Sequence, residues 1–516
     1  RPRNPEHGDY ATNAALQVGK RAGVVPRELA QALAETLGQQ PGIATADVAG
    51  PGFVNITLDA SAAGELARTI VDAGERYGRG AGLEGRRINV VLISANPPGP
   101  LHLGHTRWAA LGDAIARVLE AAGADVTREF YVNDRGAQLE RFGESLMAAA
   151  AGQPVPPDGY RGQYVADLAA EIVADDPGIL GLPEDEQVTA FREEGYRRQL
   201  AEQQEQLEQF RTHFDMWTSE RELHTSGRVA HGIDVLAGQG HLYEADGALF
   251  MRTTDFGDDK DRVLVKSDGE YTYFASDTAY YVDKRERGFD TCLYLLGADH
   301  HGYVGRLQAI AACAGDDPAR TLDVLIGQLV TVMQGGETMR LSKRAGTIIT
   351  LADIVEVTGV DAARYTLCRY PADSPMTLDL DVVTRQSADN PVYYVQYAHA
   401  RMASILRHAL DLGIDRGKLD AALLEHPRES SLLGALGEFP RVVATAAELR
   451  EPHRVARYLE DTASHFHKFY DECRVLPQGD QEVTDVHRAR LWLVEATRQV
   501  LANGLGLLGV DAPDRM

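Results

Sequence analysis

Apolar positions change rhythm along the chain, and each change predicts a different kind of element. Helical spacing over Thr12 to Lys20 and Pro26 to Leu37, then an alternating stretch from Phe53 to Leu58 after the Gly50-Pro51-Gly52 turn, predicts a small α+β unit. Gly78 to Gly85 reads as a linker. Ile88 to Ser94 is an unbroken apolar run of strand length, the pattern of a strand buried on both faces. A Pro/Gly loop at 97–100 follows, then a helix from His102 to Ala122 closed by Gly123. A strand over Val126 to Val132 and a helix over Gly136 to Met147 complete a β-α-β-α series. That alternation predicts an α/β domain with a doubly wound, Rossmann-type parallel sheet.

The series breaks near Gly152-Gln153-Pro154-Val155-Pro156-Pro157, and the Gln/Glu-rich stretch from Glu202 to Phe214 predicts a solvated helix inside an inserted helical region. Sheet patterning resumes with Cys292 to Leu296, a helix over Tyr303 to Cys313, and a strand over Leu322 to Val332. From Asn390 onward nearly every segment has helical spacing, which predicts an all-α bundle. The expected organisation is an N-terminal α+β unit over 1–80, a first half of the parallel-sheet domain over 81–150, a helical insertion over 151–230, its second half over 231–385, and a helical domain over 386–516. At about 150 residues per domain, the 516-residue length also asks for three or four units.

Composition narrows the class without naming a function. Hydrophobic residues at 44% and charged residues at 25% fit a folded globular chain and exclude a fibrous or disordered one. No apolar run reaches the 18 or so residues of a membrane span. Four scattered cysteines (Cys292, Cys313, Cys368, Cys473), with no Cys-x-x-Cys pair, argue against structural zinc and for free thiols in a reducing cytoplasm. The opening Arg1-Pro2-Arg3-Asn4-Pro5 is neither a signal nor a transit peptide, and without an initiator Met a short segment is expected to precede it. Fifty-two basic against 76 acidic residues give −24, weak evidence against a nucleic-acid partner because phosphate neutralisation needs Lys and Arg. A local basic face remains compatible with that total.

Two segments carry chemistry. Pro97-Pro98-Gly99-Pro100-Leu101-His102-Leu103-Gly104-His105 sits after the first strand and opens the first helix. A helix start offers free N–H groups and a positive dipole end to a nucleotide phosphate. His102 and His105, three apart, project from one face of the first turn, and Gly104 leaves room for an adenine ring. Far downstream, Met339-Arg340-Leu341-Ser342-Lys343-Arg344-Ala345-Gly346 follows a Gly335-Gly336 turn and has the make-up of a loop that closes over a triphosphate.

Together these segments resemble the HIGH and KMSK signatures of class I aminoacyl-tRNA synthetases, here His102-Leu103-Gly104-His105 and Arg340-Leu341-Ser342-Lys343. Further likeness is to the arginyl-tRNA synthetase family: Asn4 to Asn13 in the N-terminal additional domain, Ser94-Ala95-Asn96-Pro97 before HIGH, Tyr131 to Gly136 and Gly297 to Tyr303 in the catalytic core, Asn390 to Arg401 opening the anticodon-binding bundle, and Gly509 to Met516 at the C-terminus. The resemblance implies ligation of L-arginine to tRNA(Arg) with ATP and nucleotide-borne Mg²⁺, in a cytoplasmic protein expected to be a monomer. It assigns His102, His105 and Lys343 to catalysis, and Pro100, Leu101, Gly104, Arg340 and Ser342 with them to ATP. Ser94, Asn96, Tyr273, Asp277 and His300 match the positions that hold arginine, Asp277 pairing with the guanidinium. Phe53 and Asn55 match positions that read a D-loop base, and Tyr394, Gln396, Tyr397 and Arg401 are candidates for the anticodon loop.

Read without the resemblance, Asp277 is a solvated residue or cap, Phe53 a core residue, and the tyrosines helix packing. A metabolite nucleotidyltransferase would leave the terminal domains without a task; a non-catalytic RNA-binding relative would not need the intact histidines and Lys343. The sequence departs from the family in Val91, where a Glu is usual three residues before Ser94, and in Arg340 and Leu341, where Lys and Met are usual.

Overall fold

The computed structural model describes residue 2 and residues 4–339 and 349–516. The N-terminal unit has strands β1 (Tyr10–Thr12), β2 (Ile43–Ala49) and β3 (Phe53–Leu58) in one antiparallel sheet with β3 central, covered by helices α1 (Ala14–Ala22) and α2 (Pro26–Gly38). Helix α3 (Ala60–Ala73) leads out of it.

The parallel sheet begins at β4 (Arg87–Ala95) and continues through helix α4 (Leu103–Ala121), strand β5 (Asp125–Val132), helices α5 (Ala137–Ala150), α6 (Gln163–Asp175) and α7 (Glu184–Gln209), and strand β6 (Met216–Ser219). Helices α8 (Glu220–Thr225) and α9 (Arg228–Gly238) come next, followed by a small antiparallel sheet, β7 (Leu242–Ala245), β8 (Ala248–Met251) and β9 (Arg262–Val265). Helix α10 (Tyr273–Glu286), strand β10 (Thr291–Gly297), helices α11 (Val304–Cys313) and α12 (Pro318–Thr321) and strand β11 (Leu322–Gly327) complete the series. The five strands run parallel in the order β11-β10-β4-β5-β6. β4 is central because its apolar run, Val90 to Ile93, is buried on both faces. The carboxyl ends of β4, β5 and β10 open on a common side, the place where ligands bind in doubly wound sheets.

Beyond β11, strands β12 (Val330–Gln334) and β13 (Glu337–Thr338) join β14 (Met376–Asp379) in a separate sheet, with helix α13 (Leu351–Cys368) between β13 and β14. Helix α14 (Leu380–Val383) leads to the helical domain, α15 (Pro391–Asp411), α16 (Pro427–Gly437), α17 (Phe439–Leu449), α18 (His453–Glu472) and α19 (Asp485–Leu507). Among the described residues no helix is long and apolar enough to cross a membrane.

Three expectations from the sequence need correction. The apolar stretch 322–332 is two strands in different sheets, because Gln328 and Leu329 turn the chain out of the parallel sheet. The antiparallel sheet β7–β9 was not foreseen, its strands being four residues each and too short to set a period. The Gln/Glu-rich helix is not wholly solvated: it ends at Gln209, Phe210 and Phe214 join the main core, and Gln199, Gln203 and Leu207 are buried.

Helix α4 is buried along nearly its whole length, packed against the sheet on one side and against α13 and α17 on the other. Its centre holds Asp113, a fully buried carboxylate that accepts from Arg117 on its own helix at 2.6 Å, from Arg128 on β5 at 3.2 Å, and from Arg364 on α13. Arg364, itself fully buried, also donates to the carbonyls of Phe210 (2.9 Å) and Leu508 (3.1 Å). Burial works to raise the Asp113 carboxyl, and the three guanidiniums together outweigh it and hold it below the ordinary carboxylate range. Asp113→Ala is therefore expected to lower unfolding free energy by about 3–5 kcal/mol, since it strands the buried guanidiniums. Urea denaturation of the two proteins measures the loss.

Candidate functional site

The end of β4 runs directly into the Pro/Gly turn and α4. His102 caps the helix: its Nδ1 accepts from the Gly104 amide at 3.2 Å, and the His102 amide donates to His105 Nδ1 at 3.4 Å. The two imidazoles stack, with centroids 3.8 Å apart and planes 19° from parallel. Both rings are half-buried, and a side chain at Gly104 would meet only the His102 ring, so the helix start is open on that side. Leu101 is fully buried and anchors the turn, while Pro100 lies at its rim.

The loop with Arg340, Ser342 and Lys343 lies outside the described residues, but its downstream flank does not. The Leu103 amide donates to the Ile349 carbonyl at 3.2 Å, and the Leu351 amide donates to the Leu101 carbonyl at 2.8 Å, so 349–351 pairs antiparallel with 101–103. Ile349 to Leu351, the described flank of the second segment, thus lie against the histidine turn.

Around the carboxyl ends of β4, β5 and β10 the structure gathers most of the other predicted residues. Ser94 Oγ accepts from Asn133 Nδ2 at 3.1 Å, and Asn96 is exposed at the end of β4. Asp277 sits in the first turns of α10, a helix capped by Thr272, whose hydroxyl accepts from the Ala275 amide at 3.3 Å. The Tyr303 hydroxyl donates to Asp277, and His300 and Arg306 face the same carboxylate. Tyr273 is exposed, and its hydroxyl would lie 3.1 Å from a side chain at Gly136, a residue whose φ of +96° already requires glycine.

Sequence reasoning missed two residues here. Glu220, the first residue of α8, is 4% exposed, and its Oε1 has no hydrogen-bond partner. Burial, then the charge of Asp277, raises its carboxyl to about 7; burial likewise raises Asp277 to about 6, against the pull of Tyr303, Arg306 and His300. Two buried carboxyls with raised affinity for protons, the charge of one acting on the other, form an acidic slot that would gain most from a cation. Val91, at the position of the family's usual Glu, is packed with Tyr131 and Tyr294 in the core and offers nothing to this slot. The second missed residue is Gln203 on α7, 1% exposed, which donates to the carbonyls of Gly99 (2.8 Å) and Pro97 (3.3 Å) and so pins the turn before His102.

Behind the slot lies a buried charge cluster. Lys284 Nζ sits 3.9 Å from the centroids of both Tyr280 and Tyr294, and Glu129 accepts from Asn89, Thr218 and Arg287. Burial lowers the Lys284 ammonium to about 8.

Elsewhere, Phe53 is 40% exposed at the start of β3, two residues before half-buried Asn55. Tyr394, Tyr397 and Arg401 on α15 border a cavity of about 500 Å³ with His467, and the Arg401 guanidinium stacks over Tyr470 at 4.1 Å. Gln396 is not brought to that cavity. It is buried, and its amide donates to Asp361 (2.7 Å) and the Asp511 carbonyl (2.9 Å) at the seam between α13 and the C-terminus. Among the described residues no His, Cys, Asp or Glu group is arranged to hold a metal ion.

Family models described as the arginyl-tRNA synthetase N-terminal domain, the class I (R) tRNA synthetase catalytic domain and the DALR anticodon-binding domain match residues 1–58, 70–152 with 183–378, and 395–516. The chain belongs to the arginyl-tRNA synthetases. It is 60% identical to an arginine–tRNA ligase of Frankia alni over 100% of this chain and 94% of that one, and 58% identical to one of Kineococcus radiotolerans over 100% and 93%. The arginyl-tRNA synthetase of Thermus thermophilus shares its fold, with a TM-score of 0.75 at 24% identity over 100% of this chain and 95% of that one. The Rossmann-type sheet and the helical C-terminal domain expected from the sequence are those of the family. Tyr303→Phe is expected to raise the Asp277 carboxyl further above 6, because it removes a donor to the charged form. A pH titration of the carboxyl stretch in difference infrared spectra, with Asp277→Asn as the blank, measures it.

Proposed function

We propose that this chain activates L-arginine with ATP and transfers it to tRNA(Arg), with the paired carboxylates of Asp277 and Glu220 receiving the guanidinium. The observation that carries the reading is the joining of the histidine turn to the flank of the second motif, with an acidic slot beside it on the same sheet edge. In the first step an arginine carboxylate oxygen attacks the α-phosphorus of ATP in line, giving arginyl-adenylate and pyrophosphate. In the second, the terminal ribose hydroxyl of tRNA takes the acyl group and AMP leaves.

The protein's part is positioning and charge stabilisation, with no covalent enzyme intermediate. Pro100, Leu101 and Gly104 shape the nucleotide's seat. His102 and His105 donate to phosphate oxygens as charge develops on them, which requires each ring to carry a proton on the nitrogen facing the phosphates. Arg340, Ser342 and Lys343 neutralise the departing pyrophosphate. Mg²⁺ arriving with ATP supplies further charge neutralisation on the phosphates. Ser94, Asn96 and His300 hold the amino acid's α-amino and carboxylate groups, while Tyr273 packs against its side chain. Phe53 and Asn55 meet the D-loop, and Tyr394, Tyr397 and Arg401 meet the anticodon loop; tRNA binds before activation proceeds. The placement of Gln396 supports a role in the domain seam instead. We place the reaction in the cytosol, with the protein acting as a monomer; four buried free cysteines suit that compartment.

The slot sets a pH dependence whose sign follows from its two raised carboxyls. A guanidinium stays protonated throughout, so binding is strongest with both carboxylates ionised and weakens as falling pH protonates them. The arginine KM is expected to rise about tenfold per unit as pH falls from about 7 to about 6 and more steeply below about 6, where the second carboxyl also takes up a proton, with kcat less affected. Aminoacylation assays from pH 5.5 to 8.5, with Asp277→Asn for comparison, test this; a flat profile in the parent excludes the slot. His105→Ala and Lys343→Ala are each expected to lower adenylation by about 10²–10³-fold with the fold intact. Near-normal pyrophosphate exchange in both would remove the mechanism.

A further inference from the structure

Arg107 stands on α4 two residues after His105 and is 2% exposed. Its guanidinium is spent on backbone oxygens. Nη1 donates to the Gln328 carbonyl, and Nη2 donates to the carbonyls of Pro371 at 2.8 Å and Ser374 at 3.0 Å. These acceptors lie on the two chain segments that enter one sheet: Gln328 is where the chain leaves β11 for β12, and Pro371 to Ser374 lead into β14. The Gln328 amide donates to the Ala372 carbonyl at 2.9 Å and the Met376 amide to the Leu329 carbonyl at 3.3 Å, so the segments are also joined to each other. Trp108, the next residue of α4, holds the same exit, since a side chain at Gly327 would stand 2.5 Å from its ring.

From that root the sheet runs to the second motif. β12 pairs with β14 from Val330 beside Met376 to Met333 beside Asp379, and with β13 on its other edge. The Gly335 amide in the hairpin turn donates to Asp381 at 2.6 Å, and the Met339 amide donates to the Val332 carbonyl at 2.9 Å. Met339 immediately precedes Arg340, where the motif opens.

We propose that Arg107 is a positioning residue for adenylation: it fixes the root of the β12–β13–β14 sheet, and with it the upstream flank of the second motif, relative to the histidine turn on its own helix. The proposal rests on the reading that Lys343 serves the departing pyrophosphate. It gives the second motif two fixed flanks, because the pairing of 349–351 with 101–103 already holds the downstream one.

The acceptors explain the residue type. Carbonyls on two separate segments need donors on both arms of a planar fork, which a guanidinium has and an ammonium lacks. A methionine would fill the channel of the stem but leave those buried carbonyls short of a donor. The reaction explains where the loss would fall. Neutralisation of pyrophosphate is realised in the transition state, so a displaced flank lowers kcat and leaves the arginine KM alone.

Rates of tRNA-dependent pyrophosphate exchange, per active site counted with a non-hydrolysable arginyl-adenylate analogue, test this. Misplacement by about 1 Å can cost about 10²-fold, so Arg107→Met is expected to lower kcat by about that factor, with the arginine KM within about twofold. Arg107→Lys, which keeps a donor, and Gly327→Ala, which displaces the same root without touching Arg107, should each lower it about tenfold. Each variant is then combined with Lys343→Ala. Because Arg107 acts through the second motif, the double variants should lie within about threefold of Lys343→Ala alone. If the three single variants keep the parental kcat while Lys343→Ala loses it, the positioning role is overturned and the reading of Lys343 stands. If Lys343→Ala keeps the parental rate too, that reading fails and the proposal with it. If the losses multiply in the double variants, or the arginine KM rises as far as kcat falls, Arg107 serves the fold at large and the proposal is overturned.

Discussion

A single buried carboxylate, Asp113, holds the parts of this enzyme in register. Its partners come from three elements: α4 itself, the neighbouring strand β5, and α13, which follows the second nucleotide motif. Three guanidiniums around one carboxylate would leave excess positive charge in the core; the Glu120 carboxylate offsets part of it by accepting from Arg128 at 2.6 Å, and Arg364 donates to the Phe210 and Leu508 carbonyls. The middle of α4 and the C-terminal part of α13, beyond its kink at Gly359, are therefore locked together. The first turns of the two helices meet through the 101–103 and 349–351 pairing. Gly509 belongs to the same constraint, since a side chain there would run into the Arg364 guanidinium, and its φ is +68°. The C-terminal bundle is thus attached to the catalytic sheet through the same residue that ties α13 to α4.

The acidic slot proposed to receive arginine is assembled differently. Its pieces come from the ends of β4, β5 and β10, from α8 and from the first turns of α10, joined by polar contacts. Asp134 shows how: it is 1% exposed and accepts from Tyr196 (2.9 Å), from Ser219 (2.6 Å) and from the Arg221 amide (2.8 Å). That one carboxylate ties the loop after β5 to α7 and to the start of α8, and so fixes where Glu220 enters. Rigid strands set the positions of the ligands, and short helices carrying them can be exchanged without disturbing the sheet. A family position that has lost its carboxylate, here Val91, is then compatible with an acidic slot.

What the sequence reveals and hides follows from how each signal arises. The run at β4, the Pro/Gly turn and α4 are legible because burial on both faces of a strand, and along a whole helix, writes itself as continuous apolarity. The histidine pair is legible because it depends on spacing within one turn. Glu220 is illegible because an acidic residue after Ser219 looks like ordinary first-turn chemistry, and Ser219 does cap that helix by accepting from the Glu222 amide at 3.0 Å. Only the approach of α10, from distant sequence, buries the carboxylate. Gln203 is hidden the same way within a Gln/Glu-rich stretch, where burial of one polar side chain leaves no trace in composition. The net charge of −24 pointed away from nucleic acid, yet the chain belongs to a tRNA-charging family; a whole-chain sum says nothing about a local face.

The same reasoning separates two kinds of buried charge in this molecule. Around Asp113 every carboxylate oxygen is matched by a guanidinium, and the group is an ion for good. In the slot the charge of one carboxyl acts on the other, their affinity for protons is raised, and Glu220 keeps one oxygen without a partner. A fully matched network stabilises a fold; an under-matched one is a demand for a ligand that brings the missing charge. Buried Lys284 stands between the two cases, since its Nζ has no hydrogen-bond partner. Its ammonium lies between two tyrosine rings, and the charge of nearby Glu129 favours its protonated form. It serves as a fixed positive backing to α10, reaching Asp277 through the helix without entering the slot.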